Sequence, residues 1–456
     1  MRYLSLFILA ILPIYSLSAD DLQTPKNVKQ TLNAITDNDN EINIASVLQK
    51  SQEIQGNNQH IIGLNELLKG VDTNYLLQSK VLSMQQAKKN HTIAQVSFLP
   101  TLNLDYTFQN NNRDTQMYSN YNTQTLNAKL NLDVFNGFST INTVKEKSAT
   151  YRSSIADMEY TKQNLYLQVI QQYYQYFSNV SQLVSLQRKL EQIDSNVQRV
   201  SKLYDQGLTT IDDLESLKAQ GSLSQYQISD IKLSIEQNKL MLEYLTNLNF
   251  DKLKRDQIAT PAYEVKERKD LTSLREQINA QVYQNKQLNY YPTVSLFDNY
   301  SYNIQLPAYI MANPILAPTF PKGQNLAGVT ISLSLFNDVG IALQKQYLRL
   351  GQLANEKNLA YKENEQKKDE KLYRKSLEIA KAKIASSEAS LKSATISYQN
   401  IKKKYDAQLV NFTDYLQALS TKFDAEATYN ESLNNYELQK ANYIFYSGQK
   451  IQDYIQ

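Results

Sequence analysis

The sequence predicts a mainly α-helical fold with membrane-spanning β-strands, built from one plan that is used twice along the chain. Residues 126–134 and 327–335 alternate strictly between apolar and polar side chains, which predicts strands with one apolar and one polar face. A Phe-Asn pair follows the first alternation and recurs 201 positions later. Each copy precedes a Tyr-Asp pair by 69 residues, and this constant spacing predicts helices about 100 Å long at ~1.5 Å per residue.

The composition favours long helices and excludes several kinds of site. The 456 residues include 11 Gly and 9 Pro, and residues 101–260 and 322–456 contain no proline, which suits helices better than a loop-rich fold. The absence of Cys excludes disulfides, thiolate metal ligands, Cys nucleophiles and a lipid-modified cysteine. A net charge of +3, with no basic run beyond residues 402–404, predicts no nucleic-acid partner.

The N-terminal 60 residues are predicted to lie outside the repeated plan. Residues 1–19 resemble a cleaved secretory signal peptide, with Arg2, a short apolar run and small residues before the cleavage point. The alternative is a membrane anchor, for which the apolar run is short. Residues 20–60 form a polar segment rich in Asn, Asp and Gln. No later run of 18 apolar residues exists, so the mature chain is expected either to be soluble outside the cytoplasm or to cross a membrane as strands.

Residues 61–260 are predicted to form the first structural repeat, in the order helix, β-hairpin, long helix and returning helix. The hairpin is predicted over residues 98–135, and the long helix carries the alternating three- and four-residue spacing of a coiled coil. The predicted helices are Ile61 to Val96, Ser139 to Tyr204 and Ile211 to Leu248, and the strands are 101–109 and 126–134.

Residues 261–456 are predicted to form the second repeat with the same order, and its hairpin is expected over residues 291–336. The distance from proline to Phe-Asn is 35 residues in the first hairpin and 44 in the second, so the extra length belongs to the hairpin loop. The predicted strands are Val294 to Ile304 and 327–335, and the predicted helices are Leu271 to Asn289, a long helix that follows the second strand and ends at Tyr405, and Phe412 to Ile451.

The four strands are each about long enough to cross a bilayer when tilted. Their polar sides would then face a wet lumen, and aromatic residues near the strand ends would lie at the membrane interfaces. The alternative is a small soluble sheet packed on helices, which would not need a fully polar second face. The residues predicted to face outer-membrane lipid are Leu102, Leu104, Tyr106, Leu130, Leu132, Val134, Val294, Leu296, Val329, Ile331 and Leu333.

Four strands cannot close a barrel, and an open strand edge in lipid leaves backbone groups without hydrogen bonds. Two copies would give eight strands, a barrel that is filled by its own side chains. Three copies would give twelve strands with room for a passage. We therefore expect a long antiparallel coiled-coil helical barrel joined to a trimeric 12-stranded transmembrane β-barrel, to which each chain contributes four strands.

The sequence resembles the TolC family of outer-membrane efflux and secretion ducts over about residues 64–456. The resemblance is carried by FLPTLNL and YYPTVSL at the strand entries, LDVFNG and LSLFND before the long helices, and YDQGLTTIDDL and YDAQLVNFTDYL at the helix turns. It implies a homotrimeric passive duct in the outer membrane that extends into the periplasm. It also implies a periplasmic adaptor and an inner-membrane transporter as partners, and drugs, other toxic compounds or secreted proteins as cargo.

The resemblance further implies a periplasmic gate that is latched by polar links and ringed by aspartates. By position, Asp414 matches the first ring, whereas Gln417 stands at the second ring and leaves it uncharged. Tyr405 and Asp213 match a tyrosine–aspartate latch, but Val410 replaces the latch arginine, so that link is absent. The alternatives are a solvated acid at a helix start for Asp414 and a heptad core aromatic for Tyr405.

The helix turns are the predicted contact points for the adaptor. Gly207 and Leu208 lie at the first turn, and Gln408 and Leu409 lie at the second. The alternative for the first turn is an ordinary helix cap, because Gly is the usual residue there.

An enzyme and a structural coiled-coil protein are the two alternatives to the duct. An enzyme is not expected, because the two histidines, His60 and His91, belong to no triad or zinc motif and no nucleotide-binding motif is present. No cofactor or metal site is predicted. A periplasmic or surface coiled-coil structural protein would share the heptads, but it would not need four strands of membrane-spanning length.

Overall fold

The computed structural model describes residues 61–111, 121–311, 315, 317–333 and 338–455. The predicted signal peptide and the polar segment before residue 61 lie outside the described residues. The strands are β1 (Ile61–Ile62), β2 (Thr101–Asn111), β3 (Tyr121–Asn136), β4 (Lys252–Leu253), β5 (Thr293–Gln305) and β6 (Gly323–Ser332). The helices are α1 (Leu64–Gly70), α2 (Tyr75–Val96), α3 (Ser139–Asp205), α4 (Ile211–Thr246), α5 (Lys269–Gln287), α6 (Ala308–Met311), α7 (Asp338–Asp406) and α8 (Phe412–Tyr446).

The order helix, hairpin, long helix, helix occurs twice, first as α2–β2–β3–α3–α4 and then as α5–β5–β6–α7–α8. The long helices α3 and α7 contain 67 and 69 residues. The internal duplication predicted from the sequence is therefore confirmed, and so are two helices of about 100 Å at ~1.5 Å per residue.

The helix predicted from Ile61 to Val96 is wrong as a single element. The structure divides it into β1, α1, a 3-10 turn at Val71–Thr73 and α2. Asn74 causes the last break, because its side-chain oxygen accepts the backbone N–H of Leu76 and thereby caps α2. Its Nδ2 also donates to the Leu245 carbonyl at 3.0 Å, so this turn is fastened to the end of α4.

Two predicted boundaries are also wrong at the C-terminal ends of elements. Strand β6 ends at Ser332, so Leu333 lies just past the strand. Helix α8 ends at Tyr446, because Gly448 has a φ of +77° and turns the chain. The N–H groups of Gly448 and Gln449 donate to the carbonyls of Phe445 and Ile444, both at 3.0 Å, which is the usual glycine stop of a helix.

The main sheet contains four antiparallel strands in the order β2–β3–β5–β6. Strands β1 and β4 form a separate parallel pair. In the described residues, β2 and β6 each have one strand neighbour within the chain, so the sheet has two open edges. No helix in the described part of the chain is both long and apolar enough to span a membrane.

The largest apolar core surrounds the middle of α3, where α1, α4, α8 and the segment joining the repeats come together. Tyr173 and Tyr174 are fully buried there. Tyr174 donates its hydroxyl to the Asp256 carbonyl at 3.0 Å, and the Asp256 N–H donates to the Tyr173 hydroxyl at 2.8 Å. The joining segment is therefore hydrogen-bonded to α3. The core includes Leu64, Leu67, Val71, Leu165, Val169, Ile170, Leu242, Leu245, Phe250, Ile444 and Ile451.

A buried ion pair holds the same joining segment against α8. Lys440 and Glu437 are less than a tenth exposed and lie 2.8 Å apart. The Ile258 N–H donates to the Glu437 carboxylate at 2.8 Å, and Lys440 donates to the Ile258 carbonyl at 2.6 Å. Each buried charge thus has main-chain partners as well as its counter-ion, which is the condition under which such a pair is tolerated.

We expect Gly448→Ala to lower the free energy of unfolding by at least about 3 kcal/mol. An added Cβ would lie 2.2 Å from the Lys266 carbonyl oxygen, a backbone atom, and φ is +77°. Thermal unfolding of the purified protein in detergent, followed by circular dichroism, measures the loss. Gly207→Ala is the matched control, because its φ is +69° with nothing within 4 Å of the added carbon, so only the left-handed strain of about 1–2 kcal/mol remains. Equal losses in the two variants would contradict this account.

We expect the free energy of unfolding to fall as the pH rises above about 10. Burial raises the pKa of the Tyr173 and Tyr174 hydroxyls above the ordinary tyrosine value. Stability from a raised pKa is fully present below the unfolded value and is lost as the pH rises through the folded one. Urea unfolding at a series of pH values should therefore show a shallower fall for Tyr173→Phe/Tyr174→Phe. The exposed Tyr226→Phe control should fall as steeply as the wild type, and one slope for all three proteins would refute the assignment.

Candidate functional site: helix tips and sheet face

The two helical hairpins, α3–α4 and α7–α8, turn in the same way. Gly207 and Gln408 both adopt a left-handed backbone, with φ of +69° and +62°. The N–H groups of Leu208 and Leu409, the next residues, donate to carbonyls five positions back at 2.8 Å in both turns. These leucines are 69% and 75% exposed. The four residues predicted to contact an adaptor therefore form two matching turns, each presenting one exposed leucine.

Each returning helix begins with a side-chain cap. Thr210 accepts the Asp213 N–H at 3.3 Å, and Asn411 accepts the Asp414 N–H at 2.7 Å. Asp213 and Asp414 thus occupy equivalent places in the first turns of α4 and α8, where a carboxylate interacts favourably with the helix dipole.

The predicted gate residues Asp414 and Gln417 lie exposed on one face of α8. The same face continues with an alternating spacing of three and four residues through Thr421, Asp424 and Thr428, which are also exposed. We call these five residues the α8 polar stripe. The opposite face of the helix is buried and carries Tyr415, Leu416, Leu419 and Phe423.

An apolar cluster joins the two hairpins near their tips. It contains Ile193 and Val200 of α3, which are both buried. Residues from α4 and α8 complete it, so the tips are packed together and are not two separate hairpins. The remaining buried members are Leu214, Leu217, Tyr415, Leu416, Leu419 and Phe423.

Tyr405, near the end of α7, lies in an aromatic stack. Its ring is 4.7 Å from that of Tyr415, with an angle of 19° between the planes, and 5.8 Å from that of Phe412. On α3, the guanidinium of Arg199 lies over the Tyr405 ring at 4.4 Å from its centroid. The same guanidinium is 3.4 Å from the carboxylate of Asp406.

The structure does not join Tyr405 to Asp213. The Asp213 carboxylate accepts a hydrogen bond from the Thr209 hydroxyl at 2.9 Å, and the contacts of Tyr405 are the aromatic rings and Arg199. In the single chain these two side chains therefore have other partners, and the tyrosine–aspartate latch stays a prediction.

Sequence reasoning missed the polar contacts that cross from α3 to the second hairpin. Arg188 is 2.6 Å from Glu426, Lys189 donates to Ser420 at 2.9 Å, and Asn196 donates to the Tyr415 hydroxyl at 3.4 Å. The spacing of the arginines along α3 could have indicated these contacts. Arg188 and Arg199 are 11 residues apart, which is about three turns, so both project from the same face of α3.

The sheet brings most of the predicted lipid-facing residues onto one face. Leu102 pairs with Leu130, Leu132 with Leu296, and Val294 with Ile331, and directly opposite residues share a face. Leu104, Tyr106 and Val329 follow from the same two-residue period. Val134 is an exception, because a register shift between Asp133 and Phe135 leaves it unpaired. Leu333 lies beyond β6.

The other sheet face is mostly polar, although Phe297 and Leu326 also lie on it. Lys129 and Asp105 form an ion pair at 2.9 Å across β3 and β2, and the Ser295 hydroxyl donates to Asp133 at 2.7 Å across β5 and β3. One acid breaks the pattern, because Asp298 lies on the apolar face opposite Leu130 and Ala327.

A group of aromatic rings marks the end of the sheet nearest the long helices. Phe135 and Phe138 meet edge to face at 5.2 Å, and Phe138 is 6.2 Å from Tyr291. Aromatic side chains at such a junction are typical of an interface between hydrocarbon and water. Among the described residues, no group of three or more acidic, Cys or His side chains could hold a metal ion.

Comparisons with known proteins agree with this architecture. Residues 72–247 match the family described as outer membrane efflux protein, whereas none of the curated proteins matches the chain. Among solved structures, the outer membrane protein VceC of Vibrio cholerae is 14% identical with a TM-score of 0.76, and the match covers 85% of this chain and 96% of that one. The CmeC outer membrane channel of Campylobacter jejuni is 16% identical with a TM-score of 0.75 and 84% coverage of both chains.

A third solved structure is the open state of the MtrE outer membrane channel of Neisseria gonorrhoeae, which is 14% identical with a TM-score of 0.70. That match covers 85% of this chain and 89% of the MtrE chain. At such low identity these structures establish the fold alone. The chain thus has the fold of outer membrane channels over most of its length, and residues 72–247 within it match the outer membrane efflux protein family.

Proposed function

We propose that three copies of this chain close into one duct that crosses the outer membrane and conducts cargo through the periplasm to the exterior. The open-edged four-stranded sheet carries the proposal. Its apolar face suits lipid, but unpaired edges at β2 and β6 are not tolerated in hydrocarbon. Pairing β2 of one copy with β6 of the next in a ring of three removes all the edges and gives twelve strands.

The helices below the sheet support the same assembly. Polar contacts place α2 beside α3, α3 beside α5, and α5 beside α7, through Lys80–Asp157, Arg152–Glu276 and Gln281–Asn355. The outer helices of this row, α2 and α7, carry large exposed apolar side chains that a neighbouring copy would cover. These side chains are Tyr75, Leu76, Leu82 and Ile93 on α2, and Leu343, Tyr347, Leu350 and Tyr361 on α7.

The duct works as the outer component of a tripartite export system. The exposed leucines at the two tips suit contact with a periplasmic adaptor, and an inner-membrane transporter supplies the energy. In the trimer, the α8 polar stripe lines the passage, with three copies of Asp414 and Gln417 near its periplasmic end. The cargo is drugs and other toxic compounds or secreted proteins.

The central experiment is purification from membranes, sizing in detergent, and recording in planar lipid bilayers. We expect a trimer that forms discrete conducting channels. Leu130→Arg should reduce membrane assembly, because a cation on the lipid face costs about 2–4 kcal/mol near the bilayer midplane. Asn131→Arg is the matched control, since the next residue faces the lumen and should assemble normally. A water-soluble monomer without channel activity would exclude the duct.

The adaptor contact has a separate test in living cells. Leu208→Ala/Leu409→Ala should reduce export of a fluorescent substrate by about tenfold or more, because burying a leucine side chain against the adaptor is worth about 1.5–3 kcal/mol. Channel conductance of the purified variant should remain unchanged. Gln206→Ala, at the same exposed turn, is the control and should export normally. Unaltered export by the double variant would remove the tips from the adaptor interface.

A further inference from the structure

We propose that Arg199 holds the tips of the two hairpins together by covering the Tyr405 ring and pairing with Asp406, and that releasing this contact opens the duct. We call these three residues the Arg199 clamp. The inference rests on the proposed function, because an opening has meaning only if the chain forms a channel. In this clamp, an arginine and the face of an aromatic ring keep the tip closed, and the tyrosine hydroxyl has no part in the closure.

The geometry brings three favourable contacts to one guanidinium. Arg199 lies 4.4 Å from the Tyr405 ring centroid, well within the range of about 6 Å for a cation over an aromatic face. It is 3.4 Å from the Asp406 carboxylate. Asp406 is the last residue of α7, so Arg199 also lies at the negative end of that helix dipole.

The aromatic stack gives the clamp a fixed partner. Tyr405 lies against Tyr415, which is only 2% exposed. The Tyr415 hydroxyl in turn accepts the hydrogen bond from Asn196, three residues before Arg199 on α3. The ring that Arg199 covers is therefore held by a buried neighbour, so moving α7 away from α3 must either break the clamp or disturb the tip core.

The clamp is positioned to be reversible. Arg199 and Asp406 are about half exposed, and an exposed ion pair contributes little on its own. A cation–π contact at an exposed site biases an equilibrium by about two- to five-fold. The trimer has three copies of the clamp that open together, so their three biases multiply. Loss of the clamp is therefore expected to raise the open probability by about ten- to one-hundred-fold.

A series of substitutions at Tyr405 separates the ring from the hydroxyl. Tyr405→Phe keeps the aromatic face and should gate like the wild type. Tyr405→Leu removes the face and should match Arg199→Ala in open probability. Tyr405→Trp should open less often than the wild type, because indole is the best cation–π partner. A latch that depends on the hydroxyl predicts instead that Phe and Leu open the channel equally.

Single-channel recording of these variants in planar bilayers is the test, with open probability as the readout. Arg199→Ala should raise it at least about tenfold, and Arg199→Lys should rescue it in part because the charge remains. Arg188→Ala is the matched control. It breaks a shorter ion pair between α3 and α8 at 2.6 Å, and it should leave gating unchanged because no aromatic partner is lost.

A second readout reports the contact itself. The chain has no Trp, so Tyr405→Trp introduces one indole per chain at the clamp, which can be excited apart from the tyrosines. Adding Arg199→Ala should change its emission, whereas adding Arg188→Ala should not. The same emission in both double variants would mean that Arg199 does not cover residue 405.

The outcomes distinguish the clamp from the duct. If the wild type forms no channels, the proposed function fails and the clamp fails with it. If the wild type conducts but Arg199→Ala gates like the wild type, or Arg188→Ala opens it equally, the clamp alone is overturned. Equal opening by Tyr405→Phe and Tyr405→Leu would also overturn it.

Discussion

Hydrogen bonding of strand backbones in hydrocarbon is the constraint on which the rest of this structure depends. A lipid-facing sheet must have no unpaired edge, yet the main sheet of the described residues has only four strands, with β2 and β6 outermost. In the proposed trimer, each chain has too few strands to close a barrel by itself, so the chains must associate in order to insert into the membrane. The same closure places three sets of α2, α3, α5 and α7 in a ring, so the strand edges also determine the shape of the helical part.

Different kinds of interaction stabilise the middle and the tip of the helical part. Near the middle of α3, the segment between the repeats is fixed by buried tyrosine hydroxyls and by the buried Glu437–Lys440 pair. At the tip, the ion pairs between the hairpins involve partly exposed arginines. Buried contacts resist local opening more than exposed ones. Motion of the hairpins is therefore expected at the tip, while the middle acts as the fixed point.

Much of the fold was predictable because its patterns are long and repeat. Period-two alternation located β3 and β6, and equal spacing located α3 and α7. Sequence periodicity failed where a single residue redirects the backbone, as Asn74 does before α2 and Gly448 does after α8. It could not place Val134 either, because the register shift beside Asp133 depends on pairing with β5.

The site was predictable only in outline. Turn motifs located Gly207 and Gln408, which do form equivalent turns. The partners of Tyr405 were not predictable, because Arg199 is more than 200 residues away along the chain, and only the packing of α3 against the second hairpin brings it near. Local sequence also could not show that Thr209 satisfies the Asp213 carboxylate.

The near-equal lengths of α3 and α7, 67 and 69 residues, restrict how such a chain can change over time. One inserted residue advances a helix by ~1.5 Å and rotates everything beyond it by about 100°. An insertion in α3 alone would carry Arg199 off the face that meets Tyr405 and leave the two turns at unequal heights. Changes in length are therefore confined to segments such as the strand-to-strand loops, where the two repeats already differ by nine residues. The lengths of α3 and α7 must stay matched.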